Sequence, residues 1–355
     1  AKRKGQKTRK KKGEDTKPEE EEDVVRIEGL SYKRLVPGSL VLGQVSQINP
    51  HDIALALPNN LTGYVPLTSI STKLTERVER LVAQDGKSDA SGSEDEDDID
   101  LPSMFEVGQY LRAFVVSTSA NTSEKPTELG KRRIELSVHP EHANVGLTSK
   151  ELVTNSMVMA SVVSVEDHGL IMDIGLGQSG ITGFMSSKEV GYGVDLSTIE
   201  EGAVFLSMIT GVSSNGKIVK LSADTQKNAN PKKPNFVGDA PTIDAFLPGT
   251  AVEILVTDVT ARGVAGKIMG SVDATADLMH SGLALGGKEL DKKYKLGSKV
   301  KARIICTFPN IEPKKLGVSL LEHVMSLSEQ KAQLNMIKDA TGLSDNQVIA
   351  LEEKT

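Results

Sequence analysis

Residues 37–45 read Pro-Gly-Ser-Leu-Val-Leu-Gly-Gln-Val, an apolar alternation behind a turn, and the same opening returns twice along the chain. It recurs as Asn155-Ser156-Met157-Val158-Met159-Ala160-Ser161-Val162 and as Pro248-Gly249-Thr250-Ala251-Val252-Glu253-Ile254-Leu255-Val256. Val41, Val158 and Val252 correspond, 117 and 94 residues apart. Two further signatures follow in the same order in each copy. A glycine leads into a strand with apolar or small residues at offsets 3, 5 and 7: Gly108 with Leu111, Ala113 and Val115; Gly202 with Phe205, Ser207 and Ile209; Gly297 with Val300, Ala302 and Ile304. Residues two apart share one face of a strand, so each set lines one side. A closing strand then ends in serine at Ser137, Ser222 and Ser319. Three signatures repeated in register make this a triplicated unit.

Within the first copy the pattern predicts strands over 40–48, 53–57 and 63–66, then a helix over 73–83 with Leu74, Val78 and Leu81 at helical spacing. Two more strands follow, over 110–117 and 132–138. Five short strands with a helix between the third and fourth describe a small closed Greek-key barrel, the OB-fold arrangement.

Charge is distributed very unevenly behind the net value of −6. Residues 1–12 carry eight Lys or Arg and no acid, and residues 14–23 answer with seven acids. A second block, 85–100, holds eight acids against one lysine, which leaves the rest of the chain near neutral. Segments this charged and this poor in apolar residues cannot repay their ordering entropy, so both are expected to be disordered. The basic run reads as a nucleic-acid arm, a nuclear-localisation signal or a solvated leader. Ser91 and Ser93, just ahead of Glu94, Asp95 and Glu96, are phosphorylation candidates. No apolar run approaches a membrane span, and Cys306 is the one cysteine, which excludes an internal disulfide and a thiolate zinc site. A soluble intracellular protein is expected, with no membrane partner, no small-molecule substrate and no cofactor.

The Pro-Gly entry, the third-strand triplets Gly63-Tyr64-Val65 and Gly183-Phe184-Met185, the glycine-led fourth strand and the terminal serine together resemble the S1 RNA-binding domain, a branch of the OB-fold. The run PGSLVLGQVSQINPHDIALALPNNLTGYVPLTSIS, residues 37–71, is similar to the opening repeat of a family of large eukaryotic rRNA-biogenesis scaffolds, ribosomal RNA-processing protein five. The expected fold is mainly β: three tandem five-stranded OB-fold barrels of S1 type, a disordered charged N-terminal tail and short C-terminal helices. The expected divisions are a tail and lead-in over 1–36, barrels over 37–139 (with the acidic insertion 85–100), 151–224 and 248–320, a linker over 225–247, and a helical segment over 321–355. The resemblance further implies a non-catalytic, nucleolar scaffold of the small-subunit processome. Its partners would be precursor rRNA, small nucleolar RNA and other ribosome-assembly proteins. This chain would be the N-terminal part of a longer protein.

An S1 domain that binds RNA offers an aromatic pair on its first two strands, a histidine closing the third and a basic residue before the fifth. Carried across, the pair falls on His51 and Ala54, His168 and Ile171, and Arg262 and Ala265; the histidine falls on Pro66, Ser186 and His280. The basic position falls on Arg133, on Ile218 with Lys217 and Lys220 beside it, and on Lys315. None of the pair positions is Phe, Tyr or Trp, so the stacking platform reads as degraded in every unit and weak, low-specificity RNA binding is expected, with His51, Arg133, His168, Lys217, Lys220, Arg262, His280 and Lys315 as its contacts. His51 and His168 read equally well as polar turn residues. Tyr64, Phe184, Tyr110 and Phe205 are assigned to barrel interiors, and Cys306 to a core as a small hydrophobe.

Nothing in the sequence points to catalysis. His139 and His142 form the one close histidine pair, with no metal-ligand constellation around them. No GxxxxGK[ST] phosphate loop occurs, and Gly175-Leu176-Gly177-Gln178 is a turn by position. Ser344-Asp345-Asn346-Gln347 reads as a helix start near the end of the chain. Three functions compete: an RNA-associated scaffold, a protein-interaction platform on degenerate barrels, and the accessory part of an S1-containing ribonuclease.

Overall fold

A computed structural model describes residues 26–85, 99–120, 132–191, 194–224, 237, 242–282 and 290–327. The charged tail, Ser91 and Ser93, Lys131, most of the linker over 225–247 and the helix expected at Ser344 lie outside the described residues. The first unit contributes β1 (Leu40–Ile48), β2 (Asp52–Leu57), β3 (Leu61–Pro66), helix α1 (Thr72–Asp85), β4 (Tyr110–Ala120) and β5 (Arg132–Ser137). β1 pairs with β2, β2 with β3, β3 with β5, β5 with β4 and β4 with β1, which closes a five-stranded ring. The second unit, β6 (Met157–Glu166), β7 (Gly169–Asp173), β8 (Thr182–Ser186), β9 (Val204–Val212) and β10 (Ile218–Ser222), is a closed barrel with the same connectivity. In the third, β11 (Ala251–Thr260), β12 (Gly263–Ile268), β13 (Val272–Asp277), β14 (Lys299–Phe308) and β15 (Lys315–Ser319) pair in the same cyclic order, with β11 joined to β14.

The repeat extends to backbone irregularities. A bulge interrupts the first strand of each unit between residues 45 and 47, 162 and 164, and 256 and 258. A second falls on the fourth strand between 115 and 117, 209 and 211, and 304 and 306. Bulges bend and twist a strand, which is what so small a barrel needs in order to close. Gly38 and Gly249 enter their barrels at φ of 90° and 97°, and Asn155 fills the corresponding turn of the second unit at 71°. Asparagine is the residue that best tolerates this left-handed region without being glycine.

Val41, Val158 and Val252 are buried, as are Leu111, Ala113 and Val115. The units are packed against one another. Val41 of β1 pairs with Cys306 of β14, which joins the first and third rings in one ten-stranded sheet, and the Leu40 N–H donates to Thr307 Oγ1 at 3.0 Å. Ser71 Oγ donates to the Gly202 carbonyl at 2.8 Å, and Arg77 pairs with Glu200 at 3.2 Å, tying the first unit to the second. One continuous apolar cluster runs from the first unit through the second and reaches Ile305, Cys306 and Phe308 of the third.

Two arginines lie deep inside this assembly. Arg112 of β4 is completely buried and donates to Pro248 O at 2.7 Å, Asn144 Oδ1 at 2.9 Å and Met157 O at 2.5 Å. Burial pushes its pKa down to about 9. Arg303 of β14 donates to the carbonyls of Gly249 and Met325, holding the short helix Glu322–Ser326 against the third unit. His139 and His142 serve the connection after β5: His139 Nδ1 accepts the Glu141 N–H at 3.3 Å, and His142 Nδ1 lies 3.0 Å from Ser137 Oγ.

Candidate nucleic-acid interface

The outer face formed by the second, third and fifth strands can be compared across the units by register. In the first unit Ala54 faces Tyr64, and Tyr64 faces Glu135. In the second, Ile171 faces Phe184 and Phe184 faces Lys220; in the third, Ala265 faces Thr275 and Thr275 faces Gly317. Tyr64 and Phe184 thus occupy one position of the fold. Both are half-buried on the outer surface, which corrects their assignment to barrel interiors. Their neighbours Gly63 and Gly183 point inward, where an added Cβ would lie 2.4 Å from Leu136 Cδ1 and 2.7 Å from Leu221 Cδ1. Val65 and Met185, two residues further, are fully buried. Period-two alternation therefore turns each ring outward, and that alternation was the signal in the sequence. Tyr110 and Phe205 do pack, half-buried, against the core.

Arg133, exposed on β5, places its guanidinium carbon 5.0 Å from the centroid of the Tyr64 ring and pairs with Asp52 at 3.3 Å. His51 is exposed at the mouth of the same face, and its carbonyl accepts the Leu67 N–H at 3.0 Å. His168 is likewise exposed and accepts the Ser187 N–H at 3.1 Å, so the two turns are built alike. Lys217 and Lys220 are exposed along the edge of the Phe184 face, joined by Ile218 at 43% exposure. The structure therefore sets Arg133 over Tyr64 on one unit and Lys220 opposite Phe184 on the next, with His51, His168 and Lys217 exposed in the adjoining turns.

The third unit differs. Arg262 is exposed in the turn after β11 and Lys315 is half-buried at the start of β15, but the face between them is closed. Thr275 Oγ1 donates to the Glu28 carbonyl at 3.2 Å, and Asn59 of the first unit donates to both Leu30 O at 2.8 Å and Asp277 Oδ2 at 2.7 Å. Residues 28–30 of the lead-in thus lie across the surface that is open in the other two units. Register also moves the histidine position. Pro66 faces Asp52 and Ser186 faces Gly169, and the residue facing Gly263 in the third unit is Asp277, not His280. His280 is buried, its Nδ1 3.1 Å from Ser319 Oγ, and burial lowers its pKa although Asp277 opposes the shift. Its expected RNA contact is withdrawn because the ring does not reach the outer surface. Cys306 is buried, and burial drives its thiol pKa well above the ordinary range.

Comparison with known proteins places this geometry in a family. The family described as the RRP5 S1 domain matches residues 35–138. The rRNA biogenesis protein rrp5 of Schizosaccharomyces pombe is 38% identical over 314 residues, 87% of this chain. The chain belongs to the RRP5 family. Other RRP5 relatives are more distant: the RRP5 homologue of Mus musculus is 28% identical over 82% of this chain and that of Homo sapiens 26% over 80%. The chain spans 17%, 15% and 14% of the lengths of these three RRP5 proteins. A solved multidomain protein with nucleic acid binding domains from Streptococcus pneumoniae aligns over 89% of the chain and 87% of its own, at 13% identity and a TM-score of 0.18, too low to bear on the fold.

Proposed function

We propose that this chain is an RNA-binding, non-catalytic scaffold segment in precursor-rRNA processing. On this reading it acts in the nucleolus, within the small-subunit processome, with precursor rRNA, small nucleolar RNA and ribosome-assembly proteins as partners. The observation that carries the reading is the pair of register-matched outer aromatics, Tyr64 and Phe184, each beside exposed cations. Aromatic faces stack bases at about 1–3 kcal/mol each, and neighbouring lysines supply the phosphate term. The relatives' names, rRNA biogenesis protein and RRP5 homologue, support the setting. Fluorescence anisotropy with single-stranded precursor-rRNA fragments tests it. Tyr64→Ala and Phe184→Ala should each weaken binding by about 1–3 kcal/mol, and unchanged affinity in the double variant would refute the assignment.

A second reading is favoured at the third unit alone. Its face already holds a peptide, residues 28–30, against Thr275 and Asp277. We assign that face to protein contact, with Arg262 and Lys315 contributing little to RNA affinity.

A further inference from the structure

The first unit's outer face is organised around an ion pair that its counterparts lack. Arg133 Nη2 donates to Asp52 Oδ2 at 3.3 Å, while Asp52 Oδ1 accepts from Asn49 Nδ2 at 2.6 Å. The carboxylate is thereby fixed from its own turn, and it fixes the guanidinium in turn, 5.0 Å over the Tyr64 ring. Glu135, opposite Tyr64 on β5, adds a second carboxylate and is itself held by Ser117 Oγ at 2.9 Å. Among the described residues, Arg133 thus pairs with Asp52 and shares its strand face with a second carboxylate, Glu135. The positions matching Asp52 are Gly169 and Gly263, so neither other unit can make the pair.

This arrangement has a chemical consequence. A phosphate seeking Arg133 must displace or tolerate Asp52, and like charges at that spacing repel. A base meets no such obstacle, because a planar guanidinium stacks on its open side and keeps its carboxylate partner in its own plane. We infer that Asp52 is a positioning residue that holds Arg133 over the Tyr64 ring and withholds its charge from phosphate. The first unit then takes single-stranded RNA by stacking, and salt-sensitive phosphate binding falls to Lys217 and Lys220 of the second. The inference rests on the reading of these faces as RNA-binding.

The test compares the full chain with its Asp52→Asn, Asp52→Glu and Asp52→Asn/Arg133→Gln variants. The probe is a fluorescein-labelled oligo(A) of about 12 nucleotides, titrated at salt from about 50 to 200 mM. Asparagine keeps the shape and releases the charge. Asp52→Asn should bind severalfold tighter at low salt and steepen the log K against log salt slope by about 0.7, the value for one further phosphate contact on a single strand. Asp52→Glu should behave as the unaltered chain, and the double variant should lose the added slope. An unchanged slope, or weaker binding, in Asp52→Asn overturns the inference while leaving the RNA reading intact. Failure of the unaltered chain to bind the oligonucleotide at all refutes the RNA reading, and the inference with it.

Discussion

Replacing Arg112 with methionine is expected to loosen the joint between all three units. Its guanidinium donates to segments from three places: Asn144 after the first unit, Met157 at the start of the second, and Pro248 at the start of the third. Asn144 Oδ1 keeps the Met159 N–H at 2.9 Å, so the variant mainly deprives the Pro248 and Met157 carbonyls. A buried acceptor that loses its donor costs about 1–3 kcal/mol, or about 2–6 kcal/mol for the pair. Part of this is offset, since the variant no longer holds a charge where burial has lowered the pKa to about 9. The net loss should be about 2–4 kcal/mol. Arg112→Lys should recover little, because an ammonium cannot span the three acceptors as a planar fork does. Urea unfolding followed by far-ultraviolet circular dichroism checks this, with tyrosine fluorescence as a second probe in a chain that has no tryptophan. Besides a lower midpoint, a shallower or split transition is expected as the units uncouple. An Arg112→Met protein with unchanged midpoint and slope would refute the argument that this side chain couples the units.

Three further outcomes follow from the geometry. Gly29→Val should loosen the lead-in, since a Cβ at that position would sit 2.9 Å from Asp277 Oδ2, which Asn59 Nδ2 holds at 2.7 Å; limited proteolysis should cut near residues 28–30 faster while the second unit stays protected. Burial holds the pKa values of His139, His280 and His323 below the ordinary 6.5. The folded state therefore binds fewer protons than the unfolded one, and stability that is complete above pH 6.5 is lost as the pH falls through the lowered values. Unfolding midpoints at pH 7.5 and 5.5 should show that loss, and His280→Gln should reduce it. Finally, Lys217→Gln with Lys220→Gln should flatten the salt dependence of RNA binding by about 1.4 slope units, two single-strand phosphate contacts, whereas Arg262→Gln with Lys315→Gln should leave it unchanged.

Much of the fold was legible because the repeat is written in local patterns. The first-unit strands expected over 40–48, 53–57, 63–66, 110–117 and 132–138 are found at Leu40–Ile48, Asp52–Leu57, Leu61–Pro66, Tyr110–Ala120 and Arg132–Ser137. The helix over 73–83 is found at Thr72–Asp85. The aromatic platform was missed because ring size was given more weight than strand parity. In Gly63-Tyr64-Val65 the valine and the cramped glycine both face in, so the tyrosine must face out. Two other features have no local signature at all. The lead-in closes the third unit's face through the hydrogen bond between Thr275 and Glu28, 247 residues apart, and Arg112 looks like any strand residue directed at solvent. Contacts of that range depend on how whole units pack, and periodicity within a strand does not encode it.

The central claim is that two outer faces are open to RNA and the third is closed by the chain's own lead-in. Ultraviolet crosslinking of the full chain to a single-stranded precursor-rRNA fragment, followed by mass spectrometry of the adducts, tests it most directly. Adducts are predicted in the peptides carrying Tyr64 and Phe184, and not in the peptide carrying Thr275 and Asp277. Adducts concentrated on that third peptide, with Tyr64 and Phe184 unmodified, would contradict the account.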